Sequence, residues 1–202
     1  MASRHRHGED RIAVPALPAS PTVLLLIDVI NPLNFSGAAA LSAAAVETTK
    51  AIAKLRRKLS SSGIQTVYAN DNYGVWRSDF HALWERCRRS AGAAGEIARI
   101  LKPRREDFTV LKPRHSAFYA TPLDLLLQQL ECRQLIIAGL AADNCVLFTA
   151  MDAYLRGYAL WVPADCVAAE QDESKRHALE QMERLLKAEV RAAFGPPSCR
   201  GE

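Results

Sequence analysis

The chain has 202 residues, with 26 lysines and arginines against 22 aspartates and glutamates and 49% hydrophobic residues, the make-up of an ordinary globular chain of one domain. At this length roughly 70% of the unfolded surface can be buried without disulfides or a structural metal, and a formal charge of +4 with acids and bases interspersed gives no footprint for nucleic acid. The longest apolar run, Val23 to Ile27, falls far short of the about 20 residues of a membrane span, so no membrane partner is expected, and five cysteines without a CxxC pair fit a reducing cytoplasm better than a disulfide framework.

The opening MASRHRHGED has charge but no apolar signal core, and residues 1–20 are expected to form a disordered arm. TVLLLIDVI follows, apolar without interruption to Asp28, as a strand buried on both faces should be. A helix is expected from Ala39 to Ser60, where Ile52, Leu55 and Leu59 recur at three- and four-residue spacing and Gly63 follows as a stop. IQTVYAN is the second strand. Ser78 is then expected to cap a helix running to Arg88, with Phe80, Leu83 and Trp84 on one face.

A glycine- and alanine-rich connector leads to DFTVLKP, a third strand ending at Lys112. TPLDLLLQQL reads as a helix with Thr121 as cap and Pro122 in its first turn, and RQLIIAGL as a fourth buried strand. From Asp143 to about Arg156 the pattern is helical, with Val146, Ala150 and Ala153 on one face and Gly157 as terminator. YALWVPADC is the fifth strand, a last helix covers Asp172 to Lys187, and GPPSCRGE is a loose tail.

Strands that alternate with helices pair in parallel through right-handed crossovers. The expected architecture is therefore a three-layer α/β/α fold with a mostly parallel, Rossmann-like sheet, occupying residues 21–190 before a tail at 191–202. Active groups in such a fold gather at the carboxyl ends of the strands. Those ends supply Asp28, then Asn70 and Asp71, then Lys112, and a helix start carrying Cys145. No GxGxxG follows the first strand, which leaves a dinucleotide site poorly supported.

A cysteine early in a helix has its thiolate favoured by the helix dipole, and a lysine nearby adds to the effect. A carboxylate at the end of an apolar strand is costly unless paired, so Asp28 beside Lys112 would serve as structural pair and proton relay at once. Taken singly, such a cysteine reads equally as a small buried hydrophobe, the aspartate as a cap and the lysine as surface. Their meeting at three strand ends is what points to chemistry.

The segment LLLIDVINPLNF resembles the opening of the isochorismatase-like cysteine hydrolases, a superfamily that includes nicotinamidases and N-carbamoyl amidases. Asp28, Asn31 and Phe35 fit that opening, while Ile30 replaces its usual glutamine. KPRHSAFYATPLD is similar to the family's lysine segment and GLAADNCVLFTAMDAYLRGY to its nucleophile elbow, over about Thr22 to Lys187. The resemblance implies a catalytic Asp28–Lys112–Cys145 triad that hydrolyses a C–N bond of a small amide, ureide or carbamoyl compound through a thioester. It also implies a cis peptide at Leu140–Ala141 and an oxyanion hole formed by the Ala141 and Cys145 N–H groups. Ala142 stands where many relatives carry threonine.

Nicotinamidases resemble one another in an Asp-x-His metal motif after the second strand, where this chain has NDNYGVWRSDF, with Asn72 and Tyr73 in place of histidine. None of the histidines at 5, 7, 81, 115 and 177 restores it, so no metal and no other cofactor is expected. That loop offers Tyr73 and Trp76 for a flat ligand face and Arg77 for a substrate carboxylate, with Phe35 and Asn70 as further substrate contacts. Equally, Trp76 packs under the next helix and Arg77 pairs with Asp79 or a neighbouring subunit. Arg114 and His115 are lesser candidates.

The resemblance further implies a homo-oligomer, dimer or tetramer, acting on a small molecule. Two other readings stay open: hydrolysis of an isochorismate-type vinyl ether, which needs no thiol nucleophile, and a catalytically silent binding or interaction module on the same fold.

Overall fold

A computed structural model of the chain describes residues 16–77 and 79–194. Six strands form one sheet: β1 (Thr22–Ile27), β2 (Gln65–Asp71), β3 (Phe108–Lys112), β4 (Gln134–Leu140), β5 (Ala159–Trp161) and β6 (Val167–Ala168). The order is β3-β2-β1-β4-β5, with β6 also pairing β4 beyond β5, and every pair is parallel. β1 is hydrogen-bonded on both sides, to β2 and to β4, which is why its sequence is apolar on both faces.

Successive β1 side chains feed opposite layers. Val23, Leu25 and Ile27 join a core with Leu123, Leu127, Ala150, Ala153 and Met182, from helices α4 (Leu123–Gln129), α5 (Leu147–Leu155) and α6 (Asp172–Leu186). Leu24 and Leu26 join the opposite core with Ile52, Leu55, Phe80, Leu83 and Ala98, from α1 (Ala38–Ser60), α2 (Phe80–Arg89) and α3 (Gly92–Ile100). The result is the three-layer α/β/α arrangement that the strand–helix alternation predicts.

The chain leaves β1 for β2 on one side and returns through α4 to β4 on the other, so strand order reverses between β1 and β4. A crevice opens at their carboxyl ends, the usual ligand position in such sheets. The two strands approach closely there. Gly139, opposite Ile27 in the register, has φ +131°, and a Cβ at this position would run into the Ile27 carbonyl oxygen.

The elements depart from the sequence expectation at α3, in YALWVPADC and at the start of α2. The supposed connector after α2 is itself a helix, α3, with Ala94, Ile97 and Ala98 buried. YALWVPADC is broken after Trp161, passes through a tight helical turn at Ala164–Cys166 and resumes as the two-residue β6. α2 begins at Phe80 with Asp79 as cap, its carboxylate accepting the Ala82 N–H at 2.7 Å; Ser78 lies outside the described residues.

Ordered contacts also pass both expected domain ends. Leu17 packs on the core, the Ser20 N–H donates to the Leu130 oxygen at 2.6 Å, and the Ala193 and Phe194 N–H groups donate to the Asp165 carboxylate at 2.7 and 3.0 Å. Residues 1–15 and the tail GPPSCRGE, with His5, His7 and Cys199, lie outside the described residues.

Candidate active site

Asp28 is the first residue beyond β1, in a left-handed backbone conformation at φ 49°. Its N–H continues the sheet by donating to the Ala69 oxygen at 3.0 Å, which fixes its side chain above the strand ends. Lys112 closes β3, two strands away. It shares a sheet face with Val110, and its side chain is 0% exposed. β1 and β3 are separated by about 9–10 Å, two strand spacings, which the long lysine stem and the short aspartate span together. Lys112 Nζ meets Asp28 Oδ2 at 2.8 Å.

Cys145 arrives from the other direction. Beyond β4 the Leu140–Ala141 peptide is cis, and residues 142–146 form a wide helical turn in which the Val146 N–H donates to the Ala141 oxygen at 3.1 Å, five residues back. Such π-type turns recur at functional sites. This one places Cys145 Sγ 3.5 Å from Lys112 Nζ and 3.8 Å from His115 Nδ1. Lys112 Nζ also donates to the Arg114 oxygen at 3.2 Å, and the Asp71 N–H donates to Asp28 Oδ1 at 2.7 Å. The acid, the base and the thiol expected from three strand ends therefore share one centre.

Burial governs the protonation of this centre. It raises the Asp28 pKa above the usual carboxylate value, against the lowering influence of Lys112. It pulls Lys112 down, but the charges of Asp28 and Cys145 outweigh it and the net shift is upward. The Cys145 thiol is pushed up to about 12, first by burial and then by the Asp28 charge, with Lys112 opposing. The resting group is thus a thiol. The thiolate stabilisation expected from a helix start beside a lysine is opposed here by desolvation and by the facing Asp28 carboxylate.

A cavity of about 260 Å³ opens on this centre, lined by Asp28, Asn31, Phe35, Tyr73, Ala141 and Cys145 together with Leu41, Asp71, His115, Leu140, Asn144 and Glu170. Phe35 and Tyr73, expected as substrate contacts, are in the lining. Three other expected contacts are not. Asn70 is fully buried, and its Nδ2 donates to the Ile30 oxygen at 2.8 Å, tying β2 to the loop after β1. Trp76 is 82% exposed, neither packed under a helix nor facing the cavity. Arg77 is exposed and does not line the cavity, so the substrate carboxylate it was to receive has no guanidinium there.

Glu170, unexpected from sequence, follows β6 and so stands at a strand end like the others. A two-residue strand carries no periodicity, which is why that end was hidden. Among the described residues no group of three or more His, Cys, Asp or Glu side chains could hold a metal ion, and no helix is long and apolar enough to cross a membrane.

Residues 22–193 match the family model of the isochorismatase domain. The chain is 36% identical over 167 residues to the uncharacterized isochorismatase family protein YaaI of Bacillus subtilis, covering 83% of this chain and 91% of that protein. Among solved structures, N-carbamoylsarcosine amidase from Thermoplasma acidophilum aligns with a TM-score of 0.64 at 25% identity, over 88% of this chain and 99% of that one. The nicotinamidase SaPncA from Staphylococcus aureus aligns with a TM-score of 0.67 at 23% identity, over 87% of this chain and 99% of that one, a likeness of fold.

Proposed function

The chain belongs to the isochorismatase family of hydrolases, and on that premise we propose that it cleaves a C–N bond of a small amide, ureide or carbamoyl compound, with Cys145 as nucleophile, Asp28 as general base and acid, and Lys112 as their electrostatic partner. The observation that carries this reading is the placement of one buried ammonium 2.8 Å from the carboxylate and 3.5 Å from the sulfur. The amidase named among its structural neighbours supports the substrate class.

The proposed steps follow from the charges. Because the resting group is a thiol, its proton passes to the Asp28 carboxylate as Sγ attacks the substrate carbonyl carbon. The C–S bond forms, and the carbonyl electron pair moves onto oxygen, where the Ala141 and Cys145 N–H groups receive it. When the tetrahedral species collapses, the C–N bond breaks and the proton returns from Asp28 to the departing nitrogen, giving a neutral amine or ammonia. Water then attacks the thioester, gives a proton to Asp28, and the acid product leaves as sulfur recovers its proton. Lys112 stays charged throughout and offsets whichever of its two neighbours is anionic. Phe35 and Tyr73 provide the apolar wall against which a small substrate lies.

Two coarser properties join this reading. The unpaired thiols of Cys87, Cys132, Cys145 and Cys166 suit a cytoplasmic setting. The exposed apolar residues Phe148, Met151, Tyr154 and Leu155 along α5 support a homo-oligomer, dimer or tetramer, in which that face is covered. The function is tested by an ammonia-release screen over small amides, ureides and carbamoyl acids. Release with at least one of these that is lost in Cys145→Ser supports the reading, and release that survives in Cys145→Ser overturns it.

A further inference from the structure

The charge of the cavity goes beyond what the chemistry requires. Among the described residues its lining holds the carboxylates of Asp28, Asp71 and Glu170 and no arginine or lysine side chain, His115 being the one basic residue among them. The nearest ammonium, Lys112, is fully buried and engaged by Asp28. Two of the three carboxylates have protein donors: Asp28 takes Lys112 and the Asp71 N–H, and Asp71 takes the Tyr73 N–H at 2.6 Å. The Asn31 side-chain oxygen is likewise occupied, accepting the Leu33 N–H at 2.8 Å. Among the described residues none donates to the Glu170 carboxylate, which is left to take a donor from a ligand.

Glu170 itself is exposed. The carboxylate lies against Gly37, at φ +91° before α1, and a Cβ at residue 37 would occupy the space of the Glu170 carboxylate group. Beyond Glu170 a second cavity of about 250 Å³ continues, lined by Ala141, Asp143, Asn144, Glu170, Gln171 and Ser174. It shares Ala141, Asn144 and Glu170 with the catalytic cavity, and among the described residues it too offers carboxylates and amides without a basic side chain.

We propose that Glu170 is a specificity residue that selects amide or ureide substrates carrying an ammonium group, held between the catalytic cavity and its polar annex. This rests on the amide-hydrolase reading and deepens it. A substrate whose reacting carbonyl lies at Cys145 extends its cationic end past Asn144 to the unpaired Glu170 carboxylate. A carboxylate-tailed analogue meets the same field with opposite sign and is rejected.

The test measures charge selection at Cys145 without requiring turnover. Three methanethiosulfonate reagents, aminoethyl (cationic), methyl (neutral) and sulfonatoethyl (anionic), are reacted with the intact chain, and modification of Cys145 is followed by peptide mass mapping. Rates are normalised to those of the same reagents with a neutral small thiol. The expected cationic-to-anionic ratio is at least about ten-fold, falling at least about three-fold in Glu170→Gln. A ratio at or below one, or a ratio unchanged in Glu170→Gln, overturns the proposal; a helix-capping role for Glu170 would lower the melting temperature of that variant and leave the ratio alone.

A second arm compares ammonium-tailed and carboxylate-tailed amides of equal length. Preference for the carboxylate tail overturns the charge selection. Hydrolysis of neither series, alongside the expected labelling ratio, overturns the hydrolase reading and leaves the selection standing.

Discussion

The Asp28 carboxylate and the Lys112 ammonium meet at 2.8 Å with side-chain exposures of 7% and 0%, so each is the other's main compensation for leaving water. Removing one partner of such a pair strands the other charge, at a cost of about 3–5 kcal/mol, whereas removing both leaves nothing uncompensated. Lys112→Met and Asp28→Asn are each expected to lose stability of this order in urea unfolding. The double variant is expected to recover most of it while remaining inactive. Additive losses in the double variant would show that the two groups do not compensate one another.

Protonation of the site gives a pH signature of known sign. A base with a raised pKa must lose its proton to work, so kcat/KM is expected to fall on acidification at a pH above the 3.8 of an ordinary aspartate. A thiol pushed up to about 12 gives the complementary result. Alkylation of Cys145 by iodoacetamide is expected to keep rising with pH through about 10, with no plateau near the ordinary cysteine value. A plateau near neutrality would mean a preformed thiolate, and a different first step.

Much of this centre is legible in the sequence, and the reason is geometric. Asp28, Lys112 and Cys145 each sit at the end of a strongly apolar or strongly patterned segment, and a parallel sheet brings such ends together whatever the loops do. Loop residues have no such guarantee. Trp76 and Arg77 look like ligand contacts by residue type, yet their loop carries them outward, while Asn70 is inside the sheet edge and spends its amide on Ile30. Glu170 and α3 were hidden for opposite reasons: the first follows a strand too short to show a period, and the second opens on glycine and alanine, which read as a connector.

The approach of β4 to β1 is expected to tolerate no side chain. Gly139→Ala would place a Cβ against the Ile27 carbonyl at a backbone angle of φ +131°, at a cost of about 1–3 kcal/mol from the backbone alone. Because residue 139 lies between the segments that carry Asp28 and Ala141, a fall in melting temperature accompanied by a fall in kcat is expected. Loss of stability with kcat intact would show that the strand contact does not position the site.

The site holds carboxylates, an ammonium, one thiol and the His115 imidazole, but among the described residues no three His, Cys, Asp or Glu side chains are grouped as a divalent ion needs. Prolonged dialysis against EDTA is therefore expected to leave turnover unchanged. Inactivation that zinc or manganese reverses would contradict this.

The central claim is a covalent bond between the substrate acyl group and Cys145. It is tested most directly by intact-mass measurement after rapid acid quench with a substrate found in the ammonia-release screen, followed by peptide mapping. The account predicts a mass increase equal to the acyl fragment, located on Cys145 and absent in Cys145→Ser. Turnover with no adduct on Cys145, and with comparable rates in Cys145→Ser, would contradict it and point to hydrolysis without a thiol nucleophile.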